Sequence, residues 1–238
     1  MSAEKTPVSA ELLVTTEQLL WREDLERIIT GQVNRYINLG FHLEVYPGLS
    51  EENAKARYRA DFALPEQAVQ PAEYVGRFDV VLPVEPRISL TRKHKLVGRM
   101  KELGLESVAR KWKTSQVAEW INTEAIRDLT PHPTDRPYLV FTHDGQRYRP
   151  LTVGQAIKQF ASDEMGSPQL EVTDLFLQKP DFFDGRGMEA AGSRFRFVYI
   201  PYLGAFSGEP RVDAHSAGYR TQAWGALSRG EEIIELGT

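Results

Sequence analysis

The sequence predicts an α+β fold, with N-terminal helices, a central hairpin, and an antiparallel or mixed sheet completed by C-terminal strands. Three observations lead there. Helical spacing of apolar residues dominates 15–64, strand-like runs dominate 170–228, and the middle mixes the two. The strongest local signal is Tyr138 to Arg149, where strand-forming residues flank Asp144-Gly145, a pair suited to the positive φ angles of a tight hairpin. Finally, 238 residues that are 41% hydrophobic and 26% charged suit a globular chain with a sizeable core. The organisation expected is a flexible arm at 1–14 and one compact unit at 15–238, with a candidate sub-boundary near 65–77.

Taken in order, the first strong helix starts at a Thr15 or Thr16 cap. It carries Leu25, Ile28, Ile29, Val33, Tyr36 and Ile37 on one face and stops at Gly40. A second helix opens at Ser50, with Ala54, Tyr58 and Phe62 inward, and Pro65 closes it. Pro65 to Pro71 reads as a linker before a buried strand at Phe78–Leu82, where β-branched valines favour extended backbone. Helices are expected again at 92–103, 106–112 and 115–129, the last with Val117, Trp120, Ile121 and Ile126 on one side. After the hairpin, Thr152 and Gln155 form a capping box for a helix that turns Val153, Ile157 and Phe160 inward. Residues 170–177 suit strand and helix equally. Residues 194–200 alternate Phe195, Phe197 and Tyr199 against Arg194, Arg196, Val198 and Ile200, the period of a half-buried strand. RVDAHS (211–216) and YRTQAWG (219–225) make two further short strands.

Composition excludes several chemistries. With no cysteine there is no disulfide, thiolate metal site or cysteine nucleophile. The five histidines, His42, His94, His132, His143 and His215, show no metal-binding spacing. Phosphate-cradling glycine motifs and a Gly-x-Ser-x-Gly elbow are missing, so neither cofactor nor metal is expected. No apolar run approaches a membrane span, and the N-terminus lacks the apolar core of a signal peptide, so a soluble, cytoplasmic protein is expected. Net charge is −4, but 91–113 holds eight basic residues against two acids.

Two segments stand out as functional candidates. The basic one has the layout of a helix-turn-helix, with Arg92, Lys93, Lys95, Arg99, Arg110, Lys111 and Lys113 as candidate nucleic-acid contacts. Against this, its second helix would carry Glu119, Glu124 and Asp128 where phosphates should come closest, so charge pattern favours a solvated basic face. The other gathers Arg194, Arg196, Arg211, His215, Tyr219, Arg220 and Trp224 among glycines near the C-terminus. Guanidinium forks there could hold a carboxylate or phosphate. Asp213, His215 and Ser216 suggest a triad, but in a strand Ser216 points away from the other two. The plainer reading is an aromatic-rich strand pair with Arg stems packed beside it.

Four passages occur in an order that resembles an uncharacterised bacterial, actinomycete-type family of unknown function. They are PGLSEE (47–52), FDVVLPVE (78–85), RPYLVFTHDGQRYRPLTVGQAI (136–157) and AGSRFRFVYIPYLGAFSGEPRVDAHSAGYRTQAWGALS (191–228). The chain departs from that family in keeping only Trp224 near its final strands. The resemblance implies a single α+β domain and supplies no catalytic residues. The leading expectation is therefore a non-catalytic cytoplasmic protein that binds a small anionic ligand or a protein partner. Alternatives are DNA binding through 92–129, and an enzyme acting on an anionic substrate through His215 and nearby arginines.

Overall fold

The computed structural model describes residues 10–97, 99, 116–118, 121–183, 185–206, 209–220 and 222–237. Its opening half is helical. Helix α1 (Ala10–Asn38) begins ahead of the threonine cap, so residues 10–14 of the expected arm are helical. Leu25, Ile29, Val33, Tyr36 and Ile37 are buried as the spacing requires. Gly40 turns the chain at φ 85°, in the left-handed region a side chain would resist, and α2 (Phe41–Val45) follows. Helix α3 (Glu51–Ala60) is capped by Ser50, whose hydroxyl accepts the Asn53 N–H, and it buries Ala54 and Tyr58. The segment 65–77 packs down too, with Ala68, Gln70 and Tyr74 buried.

Strand β1 (Val80–Val84) lies against α1, where the Tyr36 hydroxyl donates to Pro83 O at 2.8 Å and the Gln32 amide to Val81 O at 3.0 Å. Helix α4 (Leu90–Val97) buries Leu96 and Val97, while the helix expected at 106–112 lies outside the described residues. The helix expected over 115–129 is corrected. Its place is taken by β2 (Gln116–Val117), a 3-10 turn at Thr123–Ala125 and β3 (Ile126–Asp128). Asn122 caps that turn by accepting the Glu124 N–H at 3.0 Å. Strand pairing elsewhere in the chain overrides the helical spacing, because β2 has its partner near residue 211 and β3 near residue 194.

The central hairpin is corrected as well. Strand β4 (Tyr138–Thr142) forms, and Gly145 takes φ 75°, but residues 147–150 form turns and do not return as a strand. Both edges of β4 are already occupied: β1 pairs along its whole length, and late strands take the other side. The capping box of α5 (Val153–Ile157) is present in full, with Val153 buried; Ile157, expected inward, is 41% exposed. Strand β5 (Glu164–Gly166) leads to α6 (Gln169–Gln178), the segment that suited strand and helix equally. Every one of its ten residues is buried. A helix covered on all sides has no polar stripe, which is why its periodicity carried no signal.

The remaining chain is β6 (Arg186–Ala190), β7 (Ser193–Phe195), β8 (Tyr199–Phe206), β9 (Glu209–Ser216), β10 (Trp224–Gly230) and β11 (Ile234–Glu235). The single strand expected at 194–200 is thus broken at Arg196–Val198. Among the described residues eleven strands join in one mixed sheet, whose main path runs β1-β4-β10-β6-β8-β7-β3. Pairing is antiparallel except at β10–β6 and β2–β9. One face, carrying Met188, Ala190, Leu203, Ala205, Val212 and Leu227, meets α6 in a hydrophobic core that extends from Leu25 to Leu236. Each fully buried Phe or Leu there contributes about 1.5–3 kcal/mol. Among the described residues no helix is long and apolar enough to cross a membrane.

Candidate functional site

Alternation along β6, β8, β9 and β10 sends the other set of side chains to the opposite face of the sheet. Part of that face lies under α5, where Ile200, Ala191 and Ala226 pack on Val153 and Ala156. The rest presents a cluster built by register. Glu189 lies opposite Tyr202, Tyr202 opposite Asp213, and His215 follows two residues on. The His215 ring lies 4.6 Å from Trp224, 5.1 Å from Tyr219 and 5.5 Å from Tyr202, and Trp224 lies 4.1 Å from Tyr202. Three of the seven C-terminal candidates, His215, Tyr219 and Trp224, are therefore in mutual contact.

Chemistry at His215 is constrained. Its Nδ1 lies 2.8 Å from Ser216 O, and its Nε2 is 2.9 Å from Glu189 Oε1, close enough for an ion contact though not aligned as a hydrogen bond. Both ring nitrogens thus face oxygen acceptors, and neither is open to a substrate proton. Asp213 does share a face with His215, but it pairs with Arg211 at 2.5 Å and accepts its neighbour's Ala214 N–H. No Asp-His-Ser relay exists here. Burial, helped by the Asp213 charge, pushes the Tyr202 hydroxyl well above its ordinary range.

The other candidates lie near the end of the same sheet. Arg194 turns its guanidinium onto Ser193 O and Ala191 O, at 2.7 and 3.1 Å, and burial lowers its pKa. Arg196 lies over the Phe195 ring at 5.1 Å. It opens the β7–β8 turn, in which both Arg196 and Phe197 hold left-handed φ angles of 47° and 68°. Phe197, expected on the same strand face as Phe195, is instead in the turn and 72% exposed, next to Val198 at 60%. Arg127 of β3 covers the Phe197 ring at 4.8 Å. Because Tyr199 pairs with Ser216, this tip lies beside the turn that carries Tyr219 and Arg220, both exposed.

The basic segment has a different character. Lys93, a candidate nucleic-acid contact, is fully buried, its Nζ donating to Asp174 Oδ2 at 2.6 Å and Glu85 O at 2.7 Å. Arg92 pairs with Glu44 at 2.6 Å; Lys95 and Arg99 are exposed; Arg110, Lys111 and Lys113 lie outside the described residues. A second helix to enter a groove is not formed, since β2 and β3 stand in its place.

Sequence reasoning missed three buried polar groups assembled from distant parts of the chain. Around Lys93, Arg87 grips both Glu85 carboxylate oxygens and Asp61. Arg229, wholly buried, meets Glu171 at 2.9 Å and the carbonyl of Pro131 at 3.0 Å. The third joins His143, Ser228, Glu164 and Tyr148, with His143 Nε2 2.8 Å from Ser228 Oγ. That set resembles a hydrolase triad with its polarity reversed. His143 Nδ1 accepts the Gly145 N–H at 3.0 Å and the Ser228 N–H points at Nε2 from 3.3 Å, while the Ser228 hydroxyl donates to Glu164 and not to the imidazole. Burial lowers His143 to about 4, and Ser228 has no exposure to any substrate. Only Ser228 and Arg229 are neighbours in sequence, so no local pattern announces these groups.

Among the described residues, none of four cavities of about 290–390 Å³ is lined by the C-terminal candidates. Among the described residues no group of three or more His, Asp or Glu side chains gathers as a metal site. No family model matches the chain, and neither a curated protein nor a solved structure does.

Proposed function

We propose that this chain is a non-catalytic, cytoplasmic recognition protein that docks an acidic protein partner on the sheet end formed by Phe197, Val198 and Tyr219. The observation that carries this reading is Phe197. A bulky residue in left-handed backbone costs about 1–2 kcal/mol, where Asn or Gly would cost little. Its ring gains no burial in return. Strain of this kind concentrates at functional positions. Arg127 covers the exposed tip, Arg196 opens it and Arg220 is exposed in the segment that follows β9, a combination of Arg and aromatic residues favoured in protein contacts and complementary to an acidic surface. The doubly engaged His215 supports a contact role over proton transfer. The actinomycete-type resemblance, as part of the proposal, sets the protein in a bacterial cytoplasm.

The test is site-specific photocrosslinking in nuclease-treated extract of the host cells, with the photoreactive residue at 197 and, as control, at Val75, exposed elsewhere on the surface. Discrete adducts at 197 that vanish in an Arg127→Glu/Arg220→Glu variant, with none at 75, are expected. Equal labelling at both positions, no adduct, or an adduct only of twice the chain mass would overturn the reading.

A further inference from the structure

A cavity of about 300 Å³ opens between α1 and the end of α6, lined by Arg27, Ile28, Gly31, Gln32, Arg35, Gln178 and Lys179. The five α1 residues recur at one- and four-residue steps along one face. Two of the lining amides are buried and oriented by the backbone. Gln32 Nε2 donates to Val81 O at 3.0 Å, and Gln178 Nε2 donates to Gln32 O at 3.1 Å. These bonds fix which end of each amide is oxygen. They leave Gln32 Oε1 and Gln178 Oε1 buried with no donor, and the Nε–H of Arg35 buried with no acceptor. Such orphans are uncommon in folded proteins, because each costs about 1–3 kcal/mol. All three belong to residues that line one cavity, which suits it to a polar occupant.

The chemistry of that occupant follows from what is missing. Two amide oxygens require hydroxyl or N–H donors, and a guanidinium N–H requires an acceptor. Arg27, Arg35 and Lys179 line the opening, whereas the lining contains no acid. The carboxylates in reach are Asp24, paired with Arg27 at 2.7 Å, and Asp181, which acts on Arg35. A second sign is Gly31. Glycine inside a helix costs about 1 kcal/mol against alanine, yet Gly31 stands among the lining residues, where a side chain would meet no atom within 4 Å.

We propose that this cavity binds a small hydroxylated anion of the polyol-phosphate class, its phosphate held by Arg35 and Lys179 and its hydroxyls donating to the Gln32 and Gln178 side-chain oxygens. The volume lies at the small end of the range for ligand sites, which suits a molecule of this size. The proposal is independent of the docking surface, since it lies on other elements and concerns a small molecule.

Titration calorimetry on the full chain with three probes tests it. Glycerol 3-phosphate carries both the anion and the hydroxyls, sulfate only the anion, and glycerol only the hydroxyls. Glycerol 3-phosphate is expected to bind at least about tenfold more tightly than sulfate, with no binding by glycerol. Gly31→Leu, which puts a bulky side chain at a lining position, should abolish binding. Lys179→Ala, at an exposed position that cannot threaten the fold, should weaken binding by about fivefold or more. Equal affinity for sulfate would overturn the role of the amide oxygens, leaving an adventitious ion only. Absence of glycerol 3-phosphate binding at about 10 mM, or binding unchanged in both variants, would overturn the site.

Discussion

Replacing Lys93 by Met separates a structural lysine from one that contacts a ligand. Lys93 Nζ and the Asp174 carboxylate are both fully buried and 2.6 Å apart. Removing one partner of such a pair typically costs about 3–5 kcal/mol, because the other is left as an uncompensated charge. The pH dependence is more specific. Burial raises Asp174 from 3.8 to about 6 even with Lys93 and the Glu85 N–H holding it down. A carboxyl with a raised folded-state pKa loses stability for the protein as pH rises from its unfolded value to its folded one. Without Lys93, Asp174 stays protonated when folded, and that penalty keeps growing up to pH 8. At about 1.4 kcal/mol per pH unit, the extra loss over the wild type is about 3 kcal/mol at pH 8 and close to zero at pH 5. Urea unfolding of the wild type, Lys93→Met and Lys93→Met/Asp174→Asn at both pH values measures this. The double variant removes the titrating carboxyl, so the pH-dependent part of the Lys93→Met loss should disappear. A Lys93→Met loss that is equal at pH 5 and pH 8, or below about 1 kcal/mol at pH 8, would refute the argument.

Other outcomes follow from buried histidines, close-packed glycines and the strained turn. Burial lowers His143 to about 4 and, with Lys93 beside it, His94 to about 3, so the unfolded chain binds more protons below pH 6.5. Stability should therefore fall as pH drops through the 6.5 to 4 window, and His94→Gln or His143→Gln should each reduce that slope by about one proton, as read from pH-dependent urea unfolding. A methyl group at Gly192 would overlap Gly166 O and lie 2.5 Å from Thr130 Oγ1, both rigidly held. Gly192→Ala should thus lower stability by about 3 kcal/mol or more, and a melting temperature within a few degrees of wild type would contradict the packing. Phe197→Gly should leave stability within about 1 kcal/mol of wild type, because relief of left-handed strain offsets the lost Arg127 contact, while partner crosslinking at a neighbouring position disappears. A larger loss of stability would assign the ring a packing role.

What the sequence disclosed depended on how local each signal was. Gly40, Ser50 and the Thr152–Gln155 box act within four residues, and each does what its chemistry dictates. Asp144-Gly145 also turns the chain as expected, with Asp144 accepting the Gln146 N–H, yet no hairpin follows because both sides of β4 are claimed by strands from other parts of the chain. Ile121 and Ile126 match a helix period and a pair of short strands equally well, and distant partners made the choice. Residues 194–200 show a subtler failure: strict alternation continues through a turn that composition gave no reason to suspect, since neither Arg nor Phe favours positive φ. In the C-terminal candidate set, tyrosine, tryptophan and histidine were brought together by strand register, whereas the arginines dispersed to separate neighbours. The α1–α6 cavity could not have been read in advance, because its defining property is the absence of partners for Arg35 and two glutamines 146 residues apart.

Strand β10 lies between β4 and β6 on the main path of the sheet, although every other strand of that path precedes it in the chain. Until it inserts, β4 and β6 each present a naked row of amides and carbonyls flanking an empty slot. Sheet closure is thus a long-range event that waits for the other strands of that path to be made, and chains awaiting it expose the kind of bare edge that recruits other chains. Slow, concentration-sensitive refolding is the kinetic signature this topology imposes.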